Sequence, residues 1–319
     1  MSFYKLIYNI FSYPFGWLIF FLYSIFQKNY LLAVITLAVL VKLVLLPTSI
    51  KQQKSTVKTK RMQHRINKIR EKYSDPNEQQ QAMQDFYAKE GFSSMSTGCG
   101  TLLIQMPVIM GLYGAIYMPL TYILRLNRYG DGLVDTLSAA VEKYTQDSGR
   151  SSRWMEIPIL NHLDELKAEL GDKFPDTAYN VLVDFAAHFK AGPFNFGDIP
   201  GQMWHDQKSI IIIPILAFAA AMATSIYSLV RSRRLGNTDQ SSMMTMGCMM
   251  LFMPFMSLWL SWSFPVGIGI YWAVNSLLGI IQMVFLDKFY TPDKVIAQVL
   301  VDETNDRRAK ELNVIKSVD

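Results

Sequence analysis

The stretch from Leu31 to Pro47 is apolar throughout except for one lysine, Lys42. Its composition is typical of a membrane-spanning helix, which needs about 20 predominantly apolar residues. If Lys51 marks the end of the span, Lys42 lies about 13 Å deeper, near the middle of the hydrocarbon core. A charge at that depth costs at least about 2.5–3.5 kcal/mol on insertion scales, so we expect Lys42 to face protein or water.

Three more stretches without charge predict four further membrane spans. Hydrophobic residues make up 50% of the chain, and they are concentrated in these stretches, as in a polytopic membrane protein. The longest uncharged run is interrupted by Pro265 and Gly267, so it should hold two helices. The predicted fold class is an all-α polytopic membrane protein with five transmembrane helices, at 30–50, 99–119, 208–230, 242–262 and 266–286.

The N-terminal segment, residues 1–29, contains an apolar, aromatic run from Phe11 to Phe26. Pro14 interrupts this run early and no small-residue cleavage pattern follows it, which argues against a secretory signal peptide. We predict an amphipathic helix that lies in the outer membrane interface. A cleaved signal and a further full span are the alternatives.

Charge is distributed unequally between the two long hydrophilic segments. Residues 51–98 hold ten basic and five acidic residues, whereas residues 120–207 hold eight basic and thirteen acidic residues. By the positive-inside rule, 51–98 is cytoplasmic and 120–207 is external. The same rule predicts an external N-terminus, a cytoplasmic loop at 231–241 and a cytoplasmic tail at 287–319.

Apolar residues at helical spacing occur in both hydrophilic segments. They predict a cytoplasmic helical hairpin in 51–98 and a small helical external domain in 120–207. The hairpin begins with a basic cluster that is suited to anionic lipid, and contact with the ribosome is a further hypothesis. The residues singled out in this cluster are Lys51, Lys54, Lys58, Arg61 and Arg65.

The sequence contains no pattern that indicates catalysis. The four histidines are scattered without metal-ligand spacing, and no nucleotide-binding loop, nucleophile elbow or zinc-protease motif lies in a suitable context. Cys99 and Cys248 both fall near predicted cytoplasmic ends of spans, where a structural disulfide is not expected. We therefore predict a protein that is not an enzyme, with no cofactor, no metal site and no DNA partner.

Four stretches carry a resemblance to a known family. They read VKLVLLPTSIKQQKS, GCGTLLIQMPVIMGLY, FNFGDIP and FPVGIGIYWAVNSLLGIIQ, at 41–55, 98–113, 194–200 and 264–282. In this order and spacing the chain resembles the YidC/Oxa/Alb membrane protein insertases, specifically a Gram-positive-type member. The resemblance implies five helices around a hydrophilic groove that is closed to the outside and open to the cytoplasm and to lipid.

The resemblance also implies where the substrate-binding groove lies. Its positive charge is usually an arginine, at the place of Lys42 in this chain. Arginine offers a bidentate fork and lysine a rotatable point charge, so a mechanism that needs only positive charge survives the exchange. The candidate groove residues are Lys42, Gln105, Trp272 and Asn275.

The function implied by the resemblance is insertion and chaperoning of nascent membrane proteins at the plasma membrane, alone or with the Sec translocon. The partners are then nascent membrane proteins, the lipid bilayer and, as further hypotheses, the Sec translocon and the ribosome. The alternative is a small-solute or ion transporter that uses the intramembrane lysine. Against it, we find no counter-carboxylate in the predicted spans and no inverted repeat. A third interpretation, which overlaps with the insertase, is a folding chaperone or scaffold for the Sec translocon. A purely structural role for Lys42, bonded to backbone carbonyls, is a further alternative.

Overall fold

Helices form nearly all of the regular structure. The computed structural model describes residues 3–61, 63–73, 75–89, 99–145, 156–234 and 240–291, with isolated positions between 294 and 308. Its α-helices, α1 to α14 in chain order, are Phe3–Ile25, Tyr30–Arg61, Gln63–Lys72, Pro76–Lys89, Cys99–Tyr117, Pro119–Tyr122, Leu133–Thr145, Ile157–Asn161, Leu163–Leu170, Asp176–His188, Pro200–Met203, Ile212–Arg234, Gln240–Ser263 and Val266–Phe289. Short 3-10 turns occupy Leu126–Tyr129, Gly171–Lys173 and Lys208–Ile211. Strands β1 (Lys190–Ala191) and β2 (Phe194–Asn195) form a small antiparallel hairpin.

The apolar helices confirm the predicted fold class, an all-α polytopic membrane protein. Among the described residues, three helical stretches are long and apolar enough to cross a membrane: Tyr30–Lys54, Lys208–Arg231 and Val266–Phe289. Shorter apolar helical stretches occur at Asn9–Ile25 and Pro107–Tyr117. Each of the five predicted spans is occupied by a helix, namely α2, α5, α12, α13 and α14. That all five cross the bilayer, with the stated boundaries, stays a prediction.

The chain divides into two compact units. One comprises residues 1–42 and 105–280, and the other comprises residues 43–104 and 281–319. In the second unit, α3 and α4 are joined by a short turn in which Asp75 accepts hydrogen bonds from the backbone of Asn77 (2.8 Å) and Gln79 (2.9 Å). These bonds satisfy N–H groups at the start of α4, as a helix N-terminus requires. Residues 90–98, at the end of the predicted hairpin, lie outside the described residues.

In the first unit, helix α1 is apolar on both its outward and its inward face. On the inward side Gly16 allows close packing, because a Cβ atom there would lie 2.8 Å from the Cβ atom of Tyr122. An outward face that is also apolar suits contact with lipid rather than water. Its placement in the outer interface stays a prediction. The outward side chains recur at helical spacing: Ile10, Tyr13, Trp17, Phe21 and Ile25.

A cluster of buried aromatic rings joins the 120–207 domain to the start of α2. The ring of Tyr30 lies 4.8 Å from the rings of both Phe189 and Phe196, measured between centroids. Edge-to-face aromatic pairs of this kind add about 0.5–1.5 kcal/mol beyond the burial of their surface. The ammonium of Lys28, just before α2, lies 2.7 Å from the carboxylate of Asp184 on α10. The domain is therefore packed against α2 rather than tethered by a linker.

A buried carboxylate makes a second connection between this domain and the membrane helices. Glu156 is only 4% exposed. Its carboxylate accepts hydrogen bonds from the backbone N–H (2.8 Å) and from the hydroxyl of Thr121, and its own N–H donates to the carbonyl of Tyr117 (3.2 Å). Burial raises the pKa of Glu156 to about 7, while the hydrogen bonds from Thr121 oppose this rise.

The raised pKa of Glu156 predicts that the fold loses stability as the pH rises. The folded state holds a proton that the unfolded chain releases between about pH 4.5 and pH 7, so stability falls through this window by up to about 3 kcal/mol. We expect Glu156→Gln to remove this dependence and to unfold at a higher temperature than the wild type at pH 8. Thermal unfolding in detergent at pH 5 and pH 8, followed by near-ultraviolet circular dichroism, measures the difference.

The exposed Glu165→Gln is the matched control, and we expect it to keep the pH dependence of the wild type. Equal pH dependence in the wild type and Glu156→Gln would contradict the role assigned to the buried carboxylate.

Candidate functional site

Lys42 lies on the protein-facing side of α2. Val34 and Ala38, eight and four residues earlier, are buried, and residues at this spacing share one face of a helix. Lys42 continues their row and is half-buried. The side chains of Leu43 and Val44, which follow it, are exposed. The charge therefore points to the interior of the helical unit, and the apolar neighbours point outward.

The ammonium of Lys42 lies next to α14 at Gly279. A Cβ atom built on Gly279 would be 3.9 Å from the Nζ atom of Lys42, and apart from the two adjoining residues and the nearby backbone of α14 no other atom of the described residues comes within 4 Å of it. Trp272 and Asn275 precede Gly279 by seven and four residues, so they lie on the same face of α14. Both side chains are half-buried. The structure thus places Trp272 and Asn275 on the face of α14 that Lys42 approaches.

The depth of this site follows from a shared starting level of α2 and α14. At that level, Tyr30 packs on the ring of Phe196, and Gly267 N–H donates to the carbonyl of Phe196 (3.0 Å). Lys42 comes 12 residues after Tyr30 and Gly279 comes 12 residues after Gly267. At 1.5 Å per residue both positions lie about 18 Å along their helices. Because α2 and α14 run in the same direction from this level, Lys42 and Gly279 lie at equal depth.

The segment 194–200, FNFGDIP, fixes the start of α14. The backbone N–H of Val266 donates to the carbonyl of Asp198 (2.8 Å), alongside the bond from Gly267 to Phe196. These bonds satisfy N–H groups that a helix N-terminus leaves without intrahelical partners. A Cβ atom on Gly267 would lie 2.7 Å from Phe196 Cδ1 and 3.2 Å from Ile116 Cγ2. Glycine is thus required for the close approach of the segment to α14.

Helix α12 packs beside α14 through a polar contact close to Asn275. The hydroxyl of Thr224 donates to the carbonyl of Ser276 (3.2 Å) and to the carbonyl of Ala220 on its own helix (2.8 Å). Interhelical hydrogen bonds from threonine are a common way to join membrane helices. Sequence reasoning did not single out Thr224, Ser276 or Gly279. A signal for Gly279 existed, namely a glycine inside an apolar helix on the face of Trp272 and Asn275.

Gln105 lies in α5, but its side chain is outside the described residues. Of the four predicted groove residues, the structure therefore describes the side chains of Lys42, Trp272 and Asn275. Within the described part of the chain, no carboxylate forms an ion pair with Lys42. In the same part, no three histidine, cysteine or acidic residues are grouped to hold a metal ion.

The basic residues predicted for the cytoplasmic hairpin belong to the second unit. Helix α2 continues without a break to Arg61, so Lys51, Lys54, Lys58 and Arg61 recur at the spacing of one helical face. Lys51 and Lys54 are exposed, as is Arg65 on α3. The side chains of Lys58 and Arg61 lie outside the described residues. An exposed row of positive charge is suited to anionic surfaces such as lipid headgroups.

Comparison with known proteins gives matches over most of the chain. A family model described as 60Kd inner membrane protein matches residues 21–294, a range that includes all four predicted groove residues. The membrane protein insertase YidC of Oceanobacillus iheyensis is 36% identical over 113 residues, which are 34% of this chain and 44% of that protein.

Two longer alignments extend over the helical core and the 120–207 domain. A membrane protein insertase YidC of Brucella suis biovar 1 is 25% identical over 270 residues, 84% of this chain and 34% of that protein. An inner membrane ALBINO3-like protein 2 of Chlamydomonas reinhardtii, described as chloroplastic, is 26% identical over 258 residues, 81% of this chain and 50% of that protein. The chain thus spans between a third and a half of the length of these relatives.

The tight contact at Gly267 yields a prediction on stability. Gly267→Ala places a methyl group too close to Phe196 and Ile116, and overpacking of this kind destabilises by about 1–3 kcal/mol. We expect a lower midpoint of thermal unfolding in detergent. Gly279→Ala on the same helix is the matched control, because its methyl group meets only the Lys42 ammonium at ordinary contact distance. A Gly267→Ala protein as stable as the wild type would show that segment 194–200 does not fix α14 tightly.

Proposed function

The chain belongs to the 60Kd inner membrane protein family, that of the YidC, Oxa and Alb proteins, and we propose that it inserts nascent membrane proteins into the lipid bilayer. The relatives in Oceanobacillus and Brucella are named membrane protein insertases. The proposed site is the half-buried Lys42 with the adjoining face of α14. The proposed location is the plasma membrane, with five spans, an external N-terminus and a cytoplasmic C-terminus.

The physical problem that an insertase solves is the passage of a hydrophilic segment through hydrocarbon. Each backbone group without a hydrogen-bond partner in lipid costs several kcal/mol. A polar groove that reaches into the membrane lowers this cost, because water and protein groups bond the segment during its passage. The apolar part of the client then moves sideways into lipid.

Lys42 is the observation that carries the proposal. It lies about 18 Å along α2 from the aromatic cluster, on the protein-facing side, and no carboxylate of the described residues pairs with it. We propose that acidic residues of a client supply the carboxylate that pairs with Lys42, and that they do so only while the client passes the site. At about 4 Å and an effective dielectric constant near 20, one such pair contributes up to about 4 kcal/mol before desolvation is subtracted.

The outward faces of α12, α13 and α14 are apolar and form the proposed exit for the client's membrane segment. On α13 the exposed side chains include Phe252, Phe255 and Trp259, which recur at helical spacing. On α12 and α14, Leu216 and Leu277 are exposed in the same way. A client helix that leaves along such faces exchanges one apolar contact for another, so the exit carries little free-energy cost.

The remaining proposed partners are those that the basic residues on α2 and α3 would attract. The basic row on α2, with Arg65 on α3, is placed against anionic lipid headgroups, where each positive charge contributes about 1 kcal/mol. The same row is the proposed contact with the ribosome during co-translational insertion. Cooperation with the Sec translocon is proposed for clients with long translocated segments.

Substitution of Lys42 tests the proposal directly. We expect Lys42→Ala and Lys42→Glu to reduce insertion of clients with acidic translocated tails, with the larger loss for Lys42→Glu, because it replaces attraction with repulsion. We expect Lys42→Arg to insert these clients as well as the wild type, since the positive charge is kept. Insertion is measured by protease protection of the tail in vesicles that contain equal amounts of each variant.

A client whose tail acids are replaced by their amides is the matched control, and Lys42→Ala should affect it less. Normal insertion of acidic-tailed clients by Lys42→Ala would overturn the charge-attraction mechanism. Loss of function in Lys42→Arg would show that the site needs the geometry of lysine rather than its charge.

A further inference from the structure

Gly279 is the glycine of α14 that packing does not explain. Cβ atoms on Gly267 and Gly269 would lie 2.7 Å from Phe196 and 2.8 Å from Ile213, so neighbouring side chains require glycine at both positions. At Gly279 the nearest atom of the described residues is Lys42 Nζ, at 3.9 Å. That distance is an ordinary van der Waals contact, which alanine would satisfy. Because glycine weakens a helix relative to alanine, its presence here calls for another reason.

The open space at Gly279 adjoins a cation with unfilled hydrogen-bonding capacity. A lysine ammonium has three N–H donors, and no described residue forms a hydrogen bond or an ion pair with Lys42. On the side of α14, the position nearest the ammonium has no side chain. Because no described side chain supplies an acceptor on this side, water or a group from another molecule can occupy it.

We infer that Gly279 is a specificity-determining position, whose missing side chain leaves the space in which a client carboxylate pairs with the Lys42 ammonium. This inference rests on the proposed insertase function and adds a second residue to its site. A carboxylate oxygen in a charge-assisted bond lies about 2.7–2.9 Å from the ammonium nitrogen. Such an oxygen needs room beside the ammonium, and a branched side chain at 279 would take up the room that glycine leaves on the α14 side.

Substitutions of graded size and charge at position 279 distinguish the effect of filling the space beside Lys42 from the effect of adding a charge there. Gly279→Ala adds one methyl group at contact distance, so it should reduce insertion of acidic-tailed clients the least of the four substitutions. Gly279→Val should reduce it by filling the space. Gly279→Asn and Gly279→Asp have the same shape, but Asp adds a carboxylate that pairs with Lys42 from within the protein, so it should cause the larger loss. We expect about a tenfold lower insertion rate for Gly279→Asp, the effect of losing one charge-assisted hydrogen bond.

The selectivity of the effect identifies its cause. Clients with amide tails should insert equally well with the wild type and with Gly279→Asp. Ile270→Val, at a partly buried position nearer the start of the same helix, is the control for a valine in α14 and should behave as the wild type. Wild-type insertion of acidic-tailed clients by both Gly279→Val and Gly279→Asp would overturn the inference. An equal loss for acidic and amide tails in Gly279→Asp would overturn it as well, because it would indicate a structural role.

The rate of chemical modification at position 42 tests, without any client, whether the space beside Gly279 is open. In a chain with Cys99→Ser and Cys248→Ser, the thiol introduced by Lys42→Cys is modified in membrane vesicles with a charged, water-soluble thiol reagent. We expect Gly279→Val to slow this modification and Gly279→Ala to leave its rate unchanged. An unchanged rate in Gly279→Val would contradict the inference even if Lys42→Ala is defective in insertion. A wild-type protein that inserts no client in vesicles would instead contradict the proposed function, whatever the modification rate.

Discussion

A charge within an apolar helix must face a polar environment, and this constraint acts on the whole first unit. The helix that carries Lys42 buries the row of Val34 and Ala38 against its neighbours, so the lysine that continues this row is turned away from lipid. The neighbours must then leave room for the ammonium and for its partners. The half-buried face of α14 and the glycine on it meet that requirement.

The depth of the site depends on interactions about 18 Å away from it. Phe196 contacts the start of α2 through Tyr30 and the start of α14 through its carbonyl. Phe196 therefore links the registers of both helices, together with Phe189 at the start of α2 and Asp198 at the start of α14. A shift of one helix by one residue would move its side chains by about 1.5 Å and turn them by about 100°, which would separate Lys42 from Gly279. Packing at the starts of α2 and α14 thus aligns Lys42 with Gly279, about 18 Å away.

Much of the fold class could be predicted from the sequence, because uncharged runs, charge asymmetry and helical periodicity are local properties of the chain. The segment 120–207, for which apolar spacing predicts helices, contains α7 at Leu133–Thr145 and α10 at Asp176–His188. Lys42 could be singled out for the same reason, since a lone charge in an apolar run is visible without coordinates. The glycine at 279 is visible in the sequence on the face of Trp272 and Asn275, but its significance is not, because that depends on which atom of another helix lies beside it. Glu156 was missed because its burial and its bonds to Thr121 are tertiary features.

The hydrogen bond from Glu156 N–H to the carbonyl of Tyr117 has a consequence for the architecture of the chain. It returns the chain at Glu156 to the end of α5, so the residues between them form a closed loop. Closing a longer loop adds little entropic cost, about 0.6 kcal/mol for each doubling of its length. Entropy therefore constrains the length of this loop only weakly. Packing constrains its beginning instead, because Leu120 and Tyr122 are buried against the rest of the unit.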